Sequence, residues 1–402
     1  MTNPKPSASF FFLLKTTLSV FLISFVNIAL SFLFYTQAKP PSFWTPTLSY
    51  VPPIINLASF VVSLPLIILV QQKSLQKSVL IGISAIYALI VISLVLLAPS
   101  DSSQPTITTS SLLSHFVFVF AKSLMYVVAK PLLDVFVFSS IEYAGHDASA
   151  YGFVHMFSPL AEPILFSLTN MSDSPENNKT ITWILSLLSL IAFLVTILRS
   201  ENVKTKTADP DRPLYTKRFF ALIVFLFSIG FTKIMSENYF FAYLKAGKDG
   251  KQVFHLIGRQ YRIIAALLSY LAAPLLINRF GENSVLAAGA FLSALFSLFQ
   301  LFTVQSCREK LTQIINDLIK GSINPLILTG VATTLYKSIS PHRLLMALFL
   351  AFGVYSLLPG TIHGLVSPSL YRHMISLEAI QTGVLIGIAL FQLGIILELY
   401  TF

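Results

Sequence analysis

His115, Lys122, Tyr126, Lys130 and Asp134 occupy a stretch whose other residues are mostly Val, Phe, Leu and Ala. At 100° per residue the five fall within an arc of roughly 120°, one face of a single helix. Such a face can hydrogen-bond a polar solute, hold its charge or pass a proton. Lys130 and Asp134 are four apart and can pair directly, although the acid-first order is the more favourable one. A structural ion pair and a pair lining a polar cavity both fit that spacing. Pro131 leaves the carbonyl near Val127 without its usual donor, so a kink is expected beside the charges.

Other ionisable side chains interrupt apolar runs further along: Glu162, Lys233, Glu237, Arg262, Asp317 and Lys320. Each has a bland reading beside a functional one. Glu162 lies between Pro159 and Pro163, and a structural role and a cavity role are equally open. Glu237 and Arg262 fall nearer one end of their runs, where pairing or a gate is expected rather than solute contact. Asp317 and Lys320 are three apart and can satisfy each other. His115 is near a helix end and expected to be solvated, and Lys15 is close enough to its helix end to snorkel. The aromatic run from Phe116 to Phe120 reads as lipid-facing bulk.

These charges matter because there are so few of them. Of 402 residues, 55% are hydrophobic and 11% charged, with 27 basic and 17 acidic side chains, and the mean hydropathy is +0.76. A soluble protein carries about a quarter of its residues as charges. An ordinary soluble enzyme is therefore excluded, and the expectation is an all-α polytopic membrane protein in contact with the lipid bilayer. The net charge of +10 reports topology and anionic headgroups rather than nucleic acid, for which no soluble basic module exists. Cys307 is the single cysteine, so no intrachain disulfide or cysteine metal site can form. The first apolar stretch is too long for a signal-peptide core and is read as a helix.

Apolar segments fall at roughly 10–36, 50–71, 79–98, 112–140, 148–169 and 181–198, then at 219–243, 256–277, 284–304, 311–336, 344–367 and 377–400. Twelve transmembrane helices in two six-helix bundles, 1–198 and 219–402, are the expected architecture. The connection between them, residues 199–218, holds six basic residues and reads as a solvated linker. Placing it in the cytosol puts both termini inside, with a slight Lys/Arg excess on that side. The sequons Asn170-Met171-Ser172 and Asn178-Lys179-Thr180 then face out, and count only in a eukaryote.

The halves repeat in order. Pro65-Leu66-Ile67-Ile68 followed by Ser78-Val79-Leu80 matches Pro274-Leu275-Leu276-Ile277 followed by Ser284-Val285-Leu286, and Lys130-Pro131-Leu132 matches Asn324-Pro325-Leu326. Two related six-helix halves with a site between them near the midplane are the signature of the major facilitator architecture.

Phe240-Phe241, Gly247, Gly250, Val253-Phe254 and the run AAPLLINRFGENSVLAAG (272–289) resemble the lactose permease branch of the major facilitator superfamily and its nucleoside–proton symporter relatives. Pro131-Leu132-Leu133-Asp134 and the run from Tyr151 to Phe157 resemble the helix four–five region of those families. The resemblance covers most of the chain, most closely from about 218 to 345. It implies a solute transporter working by alternating access, with Asp134 at the position of the acid that binds sugar hydroxyls and His155 at that of its arginine partner. The sugar-stacking tryptophan falls at Glu162. The helix-eight glutamate falls at Ile263, the helix-nine arginine at Leu295, the helix-ten histidine and glutamate at Lys320 and Ile323, and a helix-seven aspartate at Lys233. The resemblance therefore does not convey the family's proton-coupling residues. The loop QQKSLQK (71–77) also lacks the family's glycine and aspartate, whereas NRFGEN (278–283) keeps the arginine–glycine part.

The expected function is secondary transport of a small polar solute, a sugar or nucleoside, through a multi-pass protein of the cell membrane acting as a monomer. The candidate solute ligands are Asp134, His155, Lys130, Lys122, Tyr126, Glu162 and Lys320. Coupling or gating candidates are Asp134, Glu162, Glu237, Arg262 and Asp317. Proton symport and an uncoupled facilitator both remain open, as do a carrier of a small organic or phosphate-bearing anion and a transporter-like receptor without flux. No phosphate-cradling GxxxxGK[ST] motif is present. His115, His155 and His363 lack carboxylate spacing for a metal, so neither enzyme chemistry nor a cofactor is expected.

Overall fold

A helix that crosses lipid should wear its apolar residues outward and its small and polar ones inward. The computed structural model describes residues 6–37, 51–73, 76–96, 120, 123, 125–169, 175–198, 214, 216–246, 253–303, 310–362 and 364–365, and every regular element among them is helical. On α7 (Pro175–Leu198) the exposed ridge is Ile184, Leu188, Ile191, Val195 and Leu198, while Thr182, Ser186, Leu190, Phe193 and Ile197 are buried. The buried hydroxyls satisfy themselves by donating to carbonyls one turn back, Ser186 to Thr182 and Thr196 to Ala192, both at 2.7 Å. This inversion is what a lipid solvent demands. Among the described residues, six spans are long and apolar enough to cross a membrane: Phe10–Ala29, Pro53–Gln71, Thr180–Leu198, Gln260–Phe280, Ile314–Ser338 and Pro341–Ile362. The shorter apolar helices Gln76–Leu89 and Glu282–Phe296 add to them. The span expected at 377–400 lies outside the described residues.

The chain divides into two compact units. One is Met1–His146 with Phe157–Lys206, the other Asp147–Met156 with Thr207–Phe402.

The first unit holds α1 (Pro6–Gln37), α2 (Val51–Lys73), α3 (Gln76–Leu96), α4 (Lys130–Tyr143), α6 (Ala161–Thr169) and α7. Packing centres on α1, which lies along α7 and meets α4 and α6. Phe25 and Ala29 of α1 are buried against Ala161 and Leu165 of α6. The expected kink beside Pro131 takes the form of a π turn, Met125–Ala129, directly ahead of α4. A proline nitrogen cannot donate, and widening one turn is how a helix absorbs that loss. At the other end of α4, Gly145 takes φ +75°. There Gly145 N–H donates to Glu142 O and His146 N–H to Ile141 O, both at 3.0 Å. This pair of bonds closes the helix in a Schellman turn, and only glycine adopts that conformation without strain.

The second unit opens with a 3₁₀ turn, Ala148–Ala150, and α5 (Tyr151–His155). It continues with α8 (Lys217–Ala246), α9 (Val253–Phe280), α10 (Glu282–Thr303), α11 (Lys310–Ser338) and α12 (Pro341–Phe352), which runs into a π turn, Gly353–Leu357. The inner helix is α11, which lies against both α9 and α10. Its approach is made by absent side chains: a Cβ on Gly289 would fall 2.6 Å from Ile327, and one on Gly330 2.9 Å from Leu286. Ala273, Ile277, Val285 and Leu326 form the apolar core between these helices.

The segment expected as one helix over 148–169 is broken. After α5 come a turn and the 3₁₀ turn Ser158–Leu160, and α6 begins only at Ala161. Pro159 is the reason, because its ring excludes the i−4 carbonyl and it brings no N–H. The helix expected over 344–367 starts earlier, at Pro341, and widens at 353–357.

Gly152 seats α5 on α9: a Cβ there would lie 2.8 Å from the Tyr270 carbonyl and 2.9 Å from the ring of Pro274. Gly152→Val is expected to lower stability by about 1–3 kcal/mol, the usual cost of overpacking. Thermal unfolding of the purified protein in detergent reads this, and an unchanged midpoint would refute the seating.

Candidate functional site

In the first unit the acid and base on α4 meet as their spacing predicts. Lys130 Nζ lies 3.2 Å from Asp134 Oδ2, with the Asp134 side chain fully buried and that of Lys130 21% exposed. The ammonium is therefore the more accessible member of the pair. Upstream on the same chain, Ser123 donates to Asn56 Oδ1 of α2. Glu162 is half-buried in the first turn of α6, where the positive end of the helix favours a carboxylate. Tyr126 lies in the π turn, its side chain outside the described set, and His115 and Lys122 lie outside the described residues altogether.

His155 belongs to the second unit. It is 5% exposed, with its ring 4.2 Å from that of Tyr151 one turn earlier and stacked at 6.2 Å on Tyr270 of α9. Spacing alone does not reveal this aromatic sandwich, because Tyr270 sits in another helix. Asp134 and His155, paired in the family resemblance, thus stand in different units.

A second polar group lies deep in this unit. Lys233 Nζ of α8 sits 5.7 Å from the centroid of the Tyr355 ring in the π turn. Tyr355 in turn donates its hydroxyl to Asn324 Oδ1 at the middle of α11. The carbonyl of Arg262 on α9 presses on Gly321 of α11 so closely that no Cβ fits between them. On α11, Asp317, Lys320, Gly321 and Asn324 share one face within roughly 100° of arc. Lys320, Arg262 and Asp317 are all half-buried. Glu237 lies on α8 with its side chain outside the described set. Tyr355 and Asn324 are the residues that sequence reasoning missed; the only signal was an asparagine beside Pro325 in mid-helix.

The described residues contain no group of three or more His, Cys, Asp or Glu side chains able to hold a metal. What the two units offer is hydrogen bonding and charge within lipid-crossing helices, which suits binding a polar solute.

Solved structures share this architecture from end to end. The human organic anion transporter MFSD10 (TETRAN) superposes with a TM-score of 0.67 at 10% identity, covering 96% of this chain and 99% of its own. A bacterial homologue of the iron transporter ferroportin, in its outward-facing state, gives 0.65 at 13% identity over 97% and 100%. The nucleoside transporter NupG gives 0.57 at 17% identity over 94% and 98%. The chain has the fold of these transporters.

No protein-family model matches the chain, and no curated relative matches it in sequence. At these identities the likeness fixes the fold alone, and the apolar spans of the described residues add a multi-pass membrane protein. The neighbours are transporters rather than enzymes, and they are described as carrying chemically different solutes. Within lipid-crossing helices an acid–base pair such as Lys130–Asp134, its carboxylate fully buried, is costly and is by that fact a candidate functional element.

Proposed function

We propose that this protein is a secondary transporter that moves a small polar solute across a membrane by alternating access. The observation that carries this is the end-to-end likeness to transporters over 94–97% of the chain. The proposed architecture is twelve spans, with halves 1–198 and 219–402 joined by the linker 199–218. Both termini and the linker lie in the cytosol, and the monomer sits in the cell membrane. The proposed solute is a sugar or a nucleoside. The lactose permease resemblance around Asp134 supports the first and the likeness to NupG the second. Asp134 accepts hydroxyl hydrogens, Lys130 and Tyr126 lie on its helix face, and His155 and Glu162 are further ligand candidates.

A second reading, a carrier of a small anion, draws on Lys233, Arg262 and Lys320 in the second unit and on the likeness to MFSD10, described as an organic anion transporter. Uptake of radiolabelled galactose, uridine, citrate and glucose 6-phosphate into proteoliposomes, with and without an inward proton gradient, tests both. One of these solutes is expected to enter faster than into protein-free liposomes. Accumulation above equilibrium under the gradient is the expected sign of symport, with Asp134 or Glu162 carrying the proton. Equilibration alone would leave a facilitator. No flux of any of the four would overturn the reading in favour of a receptor.

A further inference from the structure

The second unit has one end at which its helices are tied together. Arg218 donates to Asn283 Oδ1 at 2.8 Å, and Lys337 lies 3.3 Å from Glu282 Oε2. These contacts join the start of α8, the α9–α10 turn and the end of α11, and α12 begins just after, with Arg343 in its first turn. At 1.5 Å per residue, depth can be counted from that shared end. Asn324 and Tyr355 then lie about 18–20 Å in, Lys233 about 22 Å, Lys320 about 25 Å and Arg262 about 27 Å. All five fall between about 18 and 27 Å, inside a hydrocarbon core of about 30 Å. Asp317 and Glu237 follow at about 28–30 Å, within a turn of Arg262 and at the far edge of that core. Three cations thus share the deeper part of this unit with two acids, neither of them on the helix of Arg262.

Arg262 is distinctive within it. Its helix faces lipid through Ile264, Leu268, Leu271 and Leu275, all exposed. Arg262 lies on the opposite face, seven and eleven residues before the buried Ser269 and Ala273. Its neighbours three and four residues away are Gly258, Arg259, Ala265 and Ala266, so no acid on its own helix can pair with it. Among the described residues its guanidinium has no hydrogen-bond or ion-pair partner. The contact at Gly321 holds its backbone beside Lys320 and one turn from Asn324. The buried Asn316 Oδ1, also on α11, has no partner either, so this part of the helix keeps unused polar capacity. A half-buried guanidinium at this depth costs several kcal/mol unless water or a ligand answers it.

We propose that Arg262, with Lys320 and the Lys233–Tyr355–Asn324 group, forms an anion-binding centre for the carboxylate or phosphate of a small organic solute. The planar fork of the guanidinium matches the two oxygens of such a group, and the lysines add point charge. The inference rests on the transport reading only in making that anion the cargo. It replaces a neutral sugar or nucleoside by a charged one, such as a sugar phosphate, a nucleotide or an organic acid.

The test uses the full-length protein in detergent and measures thermal stabilisation by citrate, glucose 6-phosphate and uridine monophosphate against galactose and uridine. At least one anion is expected to raise the midpoint more than its uncharged counterparts. Arg262→Gln is expected to weaken that anion ten- to a hundred-fold, and Arg262→Lys, which keeps the charge but not the fork, about tenfold. If Arg262→Gln fails to fold, the lysine variant carries the comparison. The proposal is overturned if no anion stabilises the wild type, or if the folded variants bind as the wild type does. Proteoliposome uptake separates the two readings. Arg262-dependent binding of an anion that is never carried would remove the transport reading and keep the site. Carriage of uridine or galactose by the wild-type protein, with no anion stabilising it, would do the reverse.

Discussion

Gly230→Val is expected to prevent the second unit from folding stably, at a cost of about 3 kcal/mol or more, the upper end of overpacking penalties. The reason is geometric. Gly230 of α8 faces the carbonyl of Tyr355 in the π turn, and an added Cβ would overlap the oxygen itself and crowd the Pro359 ring at 3.0 Å. Side chains can rotate away from an intruder, but a carbonyl held in a helix cannot. The sign makes the expectation sharp. A glycine in a helix interior normally costs up to about 1 kcal/mol relative to alanine, so its replacement should stabilise. Gly82 of α3, with no atom within 4 Å of its Cβ position, should behave that way as Gly82→Ala. Thermal unfolding of the two variants in detergent should thus move in opposite directions. A second readout follows from sequence: Lys233 is three residues beyond Gly230, so driving α8 off the π turn also lifts the ammonium from the Tyr355 ring. Parallel shifts in the two glycine variants would refute the close approach.

How much of this was legible beforehand depends on the kind of force involved. The described spans match the apolar segments within a few residues at most ends, because crossing lipid needs length and apolarity, and both are local properties. The Lys130–Asp134 contact followed from spacing on one helix, and the distortion before Pro131 from a missing N–H. The break between α5 and α6 was marked by Pro159 and Pro163, yet a 19-residue hydropathy window averages across it. The π turn at Gly353–Leu357 contains no proline and has no local signature. Its position is tied to Gly230, more than a hundred residues away. Tyr355, Tyr270 and Asn324 share that difficulty, since a tyrosine in an apolar helix reads as bulk until a partner from another helix reaches its hydroxyl or its face. The seating of α5 on α9 depends on a side chain that Gly152 lacks, and periodicity is blind to absences.

The Lys130–Asp134 pair can be structural, functional or both, and stability and transport should separate under mutation. Asp134 is fully buried, whereas Lys130 is 21% exposed. Lys130→Met deprives a buried carboxylate of the ammonium 3.2 Å away, and should cost about 3–5 kcal/mol. Asp134→Leu leaves an ammonium that is already partly exposed and can bend outward on its flexible stem, so it should cost less. Replacing both by these apolar residues removes the desolvation penalty along with the attraction, and is often neutral or stabilising. The double variant is therefore expected to unfold near the wild-type midpoint. If Asp134 binds the solute or carries its proton, that same well-folded variant should still transport at least a hundred-fold more slowly than the wild type in proteoliposomes. Recovery of uptake together with stability would make the pair a purely structural element, and the solute ligands would then have to be sought elsewhere. A stable double variant without uptake would place the pair on the solute's path, and uptake by a folded Lys130→Gln variant would then assign the role to the carboxylate.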